Sequence, residues 1–339
     1  MMQLKGSALF AAVVTVTSLG FFQIGFDNGA LGSLITTTAF NNTFNKPGPT
    51  IVGLLVAILE VGAFFGSIAT SFVGEGLGRR KSIAIGVVIM MLGSLLSATS
   101  FGRAQLLVAR IVAGFGLGVV NSTAPVLLAE FAPKATRGLY VCMQLSTLNF
   151  ATAFVYWMGY AFSFHTGSFA WRVPIILQFI FLTPMLLILL VIPETPRWLV
   201  AHGRPDEALA VLRRLHHTGK VSEEEVLKIH ADIVRTVAVE ESIGAGTWKD
   251  LLRDDQIHSR RRLLIACSIQ IFQQLGGINA VRASRLVNVK RVLILLAYRS
   301  STILRPYSRI ASALTNTSAA SWLASYRHGS SWRLSYHGS

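Results

Sequence analysis

Charge is what this sequence has least of. Only 14% of its residues are charged, where a soluble domain carries about 25%. Hydrophobic residues make up 52% and the mean hydropathy is +0.53, so a water-facing globular surface is excluded. Cysteine is nearly absent: Cys142 and Cys267 both sit inside apolar runs and read as packing residues, which excludes a disulfide scaffold. Acid is missing from the end of the chain. All 16 Asp and Glu lie at or before Asp255, while the last 59 residues hold nine Lys and Arg. The net charge of +15 is therefore lopsided, not laid out as a nucleic-acid footprint, and no nucleic-acid partner is expected. His165, His202 and the His216-His217 pair have no partners at metal-ligand spacing, so no metal and no cofactor are assigned. With no nucleophile–base pair either, an enzyme is not expected.

What is present is long apolar runs. A helix crosses a bilayer in about 20 residues. Seven candidate segments run 7–34, 50–73, 82–100, 105–131, 139–162, 174–192 and 263–280. The first and fourth are long enough to imply tilt or a break. The first continues past Ala30 without a small-residue cleavage site, so it reads as a retained helix.

Orientation follows from Lys and Arg. The loops after the second and fourth segments carry Arg79, Arg80, Lys81, Lys134 and Arg137, whereas those after the first, third and fifth carry only Lys46, Arg103 and Arg172. An amino terminus on the cytoplasmic side is expected, in an integral, multi-pass protein of the plasma membrane. The sequon at Asn41-Asn42-Thr43 agrees with that side assignment. Residues 193–262 are polar and carry two amphipathic patterns. One is Asp206–His216, with Leu209, Leu212 and Leu215 on one face. The other follows the capping box Ser222-x-x-Glu225 and carries Val226, Ile229, Ile233 and Val237.

Four motifs give the pattern a family likeness. Gly74-Glu75-Gly76-Leu77-Gly78-Arg79-Arg80-Lys81 resembles the loop signature of major facilitators, and Glu130-Phe131-Ala132-Pro133-Lys134-Ala135-Thr136-Arg137-Gly138 resembles a sugar-porter signature. Pro193-Glu194-Thr195-Pro196-Arg197-Trp198-Leu199 resembles the one closing the sixth span, and Gln273-Gln274-Leu275-Gly276-Gly277-Ile278-Asn279 the sugar-site motif of the seventh. The chain thus resembles the sugar-porter family of the major facilitator superfamily, in a fungal form.

The fold this implies is an all-α membrane protein: the six-helix amino-terminal half of a major facilitator fold plus a partial seventh helix. Residues 1–192 would be the six-span bundle, 193–262 a cytoplasmic helical linker, and 263–280 the start of the seventh span. The activity implied is proton-coupled symport of a hexose-type monosaccharide by alternating access between two six-span halves. Its partners would be a small-molecule sugar, protons and the lipid bilayer. A transporter-like sugar sensor is the second reading.

The resemblance also assigns roles. Glu75, Arg79, Arg80, Glu130, Arg137, Glu194 and Arg197 would latch the cytoplasmic mouth, although Gly76 stands where the family usually has Arg. The alternative is that Arg79–Lys81 only set topology. Asp27 and Arg110, ionisable residues inside apolar spans, would be the proton acceptor and its partner. Burial favours a neutral carboxyl and a close guanidinium favours the ionised one. The alternative is a hydrated Asp at the membrane edge. Phe22, Gln23, Gln144, Gln273, Gln274 and Asn279 would contact sugar, because each hydroxyl both donates and accepts hydrogen bonds; Gln144 could equally be interhelical glue. Gln178 is expected to be structural and outside the site. Gly114-x-Gly-x-Gly118 lacks the strand and acid of a dinucleotide turn and is expected to be a helix-packing stripe.

Residues 281–339 do not fit. Val281-Arg282-Ala283-Ser284-Arg285 puts two Arg where a span should still be in lipid, and the 59 residues from 281 on hold 12 Ser and nine basic residues in all. The tail reads as a shifted frame or translated intron, and the chain as truncated and inactive alone. A basic tail for anionic lipid is the alternative.

Overall fold

A computed structural model describes residues 4–35, 37–133, 136–165, 167–217, 221–243 and 259–275. They form twelve helices: α1 (Ser7–Leu34), α2 (Thr38–Thr43), α3 (Pro49–Leu77), α4 (Arg79–Ala98), α5 (Arg103–Phe131), α6 (Arg137–Phe162), α7 (Phe169–Ile176), α8 (Phe179–Val191), α9 (Pro196–Ala201), α10 (Pro205–Leu215), α11 (Glu223–Ile243) and α12 (Ser259–Leu275). α1, α3, α4, α5, α6 and the α7–α8 pair are each long and apolar enough to cross a membrane. They lie in one unit, residues 1–245, and α12 in a second, residues 246–339.

Local chemistry explains the ends. Pro49 opens α3 at N1, where a missing N–H costs nothing. Gly78 stops it with φ +86°, and its N–H donates to the Gly74 carbonyl. α10 has Asp206 and Glu207 in its first turn and Arg213 and Arg214 in its last, each complementing the helix dipole. One half of the expected capping box of α11 is made, with Glu225 N–H donating to Ser222 Oγ at 3.2 Å.

Lipid gives no hydrophobic drive for helices to associate, so close backbone approach must hold them. Gly114 and Gly118 supply it toward α3: a Cβ added at either would sit 2.1 Å from a carbonyl oxygen of α3. Gly116 faces the other way, 2.5 Å by the same measure from the Gly86 carbonyl of α4. The glycine stripe therefore wedges α5 between two neighbours.

The core of the first unit runs through α1, α4, α5 and α8 (Val13, Met90, Leu117 and Met185 among its members) and continues into α9 and α10 through Trp198 and Val211. The linker helices are thus packed onto the bundle. Arg214 Nη2 donates to the Leu4 carbonyl at 3.2 Å, and Gly6 N–H to the Arg214 carbonyl at 2.7 Å. At the opposite end Phe40 and Phe44 of α2 close over Trp171, whose Nε1 donates to Thr43 Oγ1 at 3.3 Å. The outer faces of α3, α6 and α8 expose large apolar side chains such as Phe64, Phe150, Trp157 and Leu187, as lipid or a second bundle would require.

Several sequence expectations need correction. The sixth span starts earlier than Pro174 and is broken at Leu177–Gln178, bracketed by Pro174 and Pro184, each lacking an N–H. The buried stripe of α10 is Ala208, Val211 and Leu212, with Leu209 and Leu215 half-buried at its edges, because the smaller Ala208 and Val211 face the core. Cys142 and Cys267 are free and exposed, not packed, since a span's outer face is as apolar as its inner one. Asn41 of the sequon lies on the short helix α2, which the sequence did not predict, with its amide nitrogen donating to the Ile35 and Thr37 carbonyls at 3.0 and 3.1 Å. Residues 276–339, including Asn279 and the basic tail, lie outside the described residues, as does Lys134.

Candidate functional site

The buried charges meet where α1, α5 and the α7–α8 break come together. Asp27 on α1 is 4% exposed and Arg110 on α5 is 7% exposed. Arg110 Nη1 lies 3.7 Å from Asp27 Oδ1. That is an ion pair rather than a tight hydrogen bond. Gln178 Nε2 donates to the same Oδ1 at 2.9 Å, and Ser94 Oγ on α4 donates to Gln178 Oε1. Gln178 is therefore in the site, contrary to the expectation from sequence. The break between α7 and α8 places it there, tilting a polar side chain of an apolar span inward. Asp27, Ser94, Arg110 and Gln178 line one small cavity with Leu34 and Phe40 at its α2 end.

Two atoms of the cluster are left without partners: Asp27 Oδ2 and Arg110 Nε. A proton arriving at Oδ2 would neutralise Asp27 without breaking a hydrogen bond. It would also remove the carboxylate charge that lies closest to Arg110. The hydrated-edge alternative for Asp27 does not fit this burial.

One turn or so nearer the basic end lie two buried amides. Gln23 on α1 donates from Nε2 to the Gln178 carbonyl at 3.4 Å, while its Oε1 has no partner. Gln144 on α6 is 2% exposed and its Nε2 has no partner. α1 and α6 run side by side in the same direction: a Cβ at Gly25 would meet the Leu148 carbonyl at 2.1 Å, and one at Gly29 the Thr152 carbonyl at 3.3 Å. Stepping back one turn along both helices puts Gln144 level with Phe21 and Phe22. The Phe22 ring packs on Phe181 with centroids 4.3 Å apart and on Phe26, Phe150 and Phe154 at 6.0–6.4 Å. A vacant acceptor and a vacant donor beside an aromatic wall suit a ligand rich in hydroxyl groups. Gln273 and Gln274 fall on α12, in the second unit, and their side chains are outside the described residues.

The basic end carries the charged network. Glu194 Oε1 accepts from Arg79 N–H at 3.0 Å and Arg80 N–H at 3.1 Å, so it caps α4. Arg79 Nε pairs with Glu130 Oε1 at 3.2 Å. Trp198 Nε1 donates to the Glu75 carbonyl at 2.6 Å. Glu75 takes part through its backbone, its side chain being exposed. Arg137 is exposed at the start of α6, and Arg197 makes an exposed pair with Glu240 of α11. Among the described residues no three metal-ligating side chains converge.

Sequence reasoning also missed Glu60, an acid midway along α3. It was legible as the lone acid of the second apolar run.

Six lipid-length helices around a buried charge pair, with a basic network at one end, define an integral, multi-pass membrane protein of the major facilitator fold. Residues 13–283 match the family described as "Sugar (and other) transporter", and the chain belongs to that family of transporters rather than to an enzyme class. It is 36% identical over 275 residues to the MFS-type transporter oryC of Aspergillus oryzae, covering 80% of this chain and 50% of that protein. It is 32% identical over 317 residues to the sugar transporter STL1 of Saccharomyces cerevisiae, covering 89% and 55%. Among solved structures, the proton:xylose symporter XylE bound to 6-bromo-6-deoxy-D-glucose shares the fold, with a TM-score of 0.64 at 22% identity, over 73% of this chain and 56% of that one. The chain spans about half the length of the curated relatives it matches.

Proposed function

We propose that this chain supplies the first half of a proton-coupled carrier for a hexose-type monosaccharide, working by alternating access in the plasma membrane with its amino terminus cytoplasmic. The observation that carries the reading is the buried Asp27–Arg110–Gln178 cluster with a free carboxylate oxygen, with Gln23 and Gln144, each with a free amide atom, one turn or so away along α1 and α6. The name of the yeast relative and that of the xylose symporter support the substrate class and the coupling.

In this mechanism Gln23 Oε1 accepts from one sugar hydroxyl, Gln144 Nε2 donates to another, and Phe22 covers a C–H face. Gln273, Gln274 and Asn279 have the same amide chemistry and are assigned to sugar on the resemblance of their motif. A proton on Asp27 Oδ2 releases the hold on Arg110 and lets α1 and α5 shift. The Glu194, Arg79 and Glu130 contacts keep the basic end closed until that shift.

The test supplies this chain with the second six-span half of a family member, in cells lacking their own hexose carriers. Asp27→Asn should abolish uphill, pH-driven uptake and leave sugar exchange measurable. Unchanged accumulation at low external pH would remove Asp27 from the coupling step.

A further inference from the structure

Glu60 sits midway along an apolar, membrane-length helix, on a face that the six-span unit leaves exposed. Ionisable residues at such depth face the bundle interior or water, and they pair. Within the described residues no hydrogen bond or close ion pair engages Glu60. Its surroundings say what it serves. α3 and α5 touch backbone to backbone there: a Cβ at Gly62 would lie 2.4 Å from the Ile111 carbonyl, and one at Gly114 2.1 Å from the Leu59 carbonyl. The α3 turn bearing Glu60 therefore rests on the α5 turn that follows Arg110. Depth agrees as well. Asp27 is about two turns from the end of α1, Arg110 about two turns from the start of α5, and Glu60 about three turns from the start of α3, all counted from the α2 end.

The charge inventory of this layer is short. α1 contributes Asp27, α5 contributes Arg110 and α3 contributes Glu60, and Glu60 interacts electrostatically with both of the others. α4 and the α7–α8 break present neutral groups, Ser94 and Gln178. The titratable neighbour on α6, Tyr156, approaches α1 at Gly32. One cation thus has two carboxylates around it, one buried and in contact, the other on the open side.

We propose that Glu60 is the alternate counter-ion of Arg110, holding the guanidinium when Asp27 takes up a proton. A buried guanidinium cannot be left without an anion, and Arg110 Nε, with no present partner, is the atom free to turn. Glu60 already lies on the open side of the unit, where a swung guanidinium can meet it without displacing a packed side chain. The swing carries Arg110 from α1 toward α3, which converts a proton into a change of helix contacts. Its purpose rests on the carrier reading, but the test needs no transport.

The full chain is purified in detergent and its thermal midpoint measured for Asp27→Asn, Glu60→Gln and the double variant. Each single change should lower the midpoint modestly, because the other anion remains. The double should fall by more than the sum of the two, and adding Arg110→Gln should recover it. Asp27→Asn with Glu60→Asp should keep the stability that Asp27→Asn with Glu60→Gln loses. If the double variant yields no folded protein, recovery by Arg110→Gln decides. Additive single effects, or a double variant that Arg110→Gln does not recover, would overturn the proposal. Failed uptake with the non-additivity intact would instead count against the carrier reading alone.

Discussion

Removing the carboxylate of Glu194 tests whether the basic end is held by one side chain that caps a distant helix. The N-cap of α4 is Gly78, which has no side-chain oxygen to offer the first N–H groups. Glu194, 115 positions away in sequence, accepts from Arg79 N–H at 3.0 Å and from Arg80 N–H at 3.1 Å. A hydrogen bond to a charged group contributes about 1.5–3 kcal/mol, and an anion at a helix N-terminus about 0.3–1 kcal/mol more. The site is half-buried, so water can replace part of this, and the low end applies. Glu194→Ala should therefore destabilise the first unit by about 2–3 kcal/mol. Glu194→Gln keeps an acceptor and should lose about 1 kcal/mol. Thermal unfolding in detergent, followed by tryptophan fluorescence, reports directly on this region. Trp198 packs beside Gly78, where an added Cβ would lie 3.1 Å from the indole and 2.7 Å from Glu194 Oε2. An Ala variant within about 0.5 kcal/mol of the parent, as for an ordinary surface change, would refute the cap.

Gly118→Leu would put a Cβ 2.1 Å from the Ala63 carbonyl. The α3–α5 seam must then open, at a cost above the usual ~1–3 kcal/mol of overpacking, and size-exclusion chromatography should show loss of the monodisperse species. Gln178→Leu removes the 2.9 Å donor to Asp27 and should lower stability by about 2 kcal/mol; an unchanged thermal midpoint would mean the bond is not formed in the membrane. For topology, cysteines at Asn42 and at Glu224, in a background with Cys142 and Cys267 replaced, are probed with an impermeant thiol reagent. Position 42 should label in intact cells and position 224 should not; the reverse pattern inverts the orientation.

How much of this was legible in the sequence depends on the range of the interaction. Helix positions followed from local rules: the apolar runs and the Ser222 cap were read directly, and Pro49 and Pro205 at helix starts and Gly78 at a stop are local signals of the same kind that went unread. The starts of α4, α5 and α6 were placed two or three residues late because Arg79, Arg103 and Arg137 are charged, and a hydropathy reading stops at charge. Helical hydrogen bonding does not stop there, and long side chains carry their charge to the interface. α2 was not foreseen, since its six residues are stabilised by packing of Phe40 and Phe44 on Trp171 rather than by any pattern of their own.

The polar interior shows the same division more sharply. Asp27 and Arg110 could be picked out because a charge inside a span is costly wherever it points. Gln178 could not, because an amide in a membrane helix is ambiguous until its direction is known. That direction comes from the break at Leu177–Gln178 and from α1 lying opposite, 151 positions away. The break is what turns the amide toward α1. It shapes the one polar contact that lets Asp27 stay hydrogen-bonded on Oδ1 while Oδ2 remains free. A carboxyl tied up at both oxygens would resist protonation, and one tied at neither would not be aimed. Gln178 ties one, so under the proposed mechanism Asp27 would take a proton on Oδ2 with its bond to Gln178 intact.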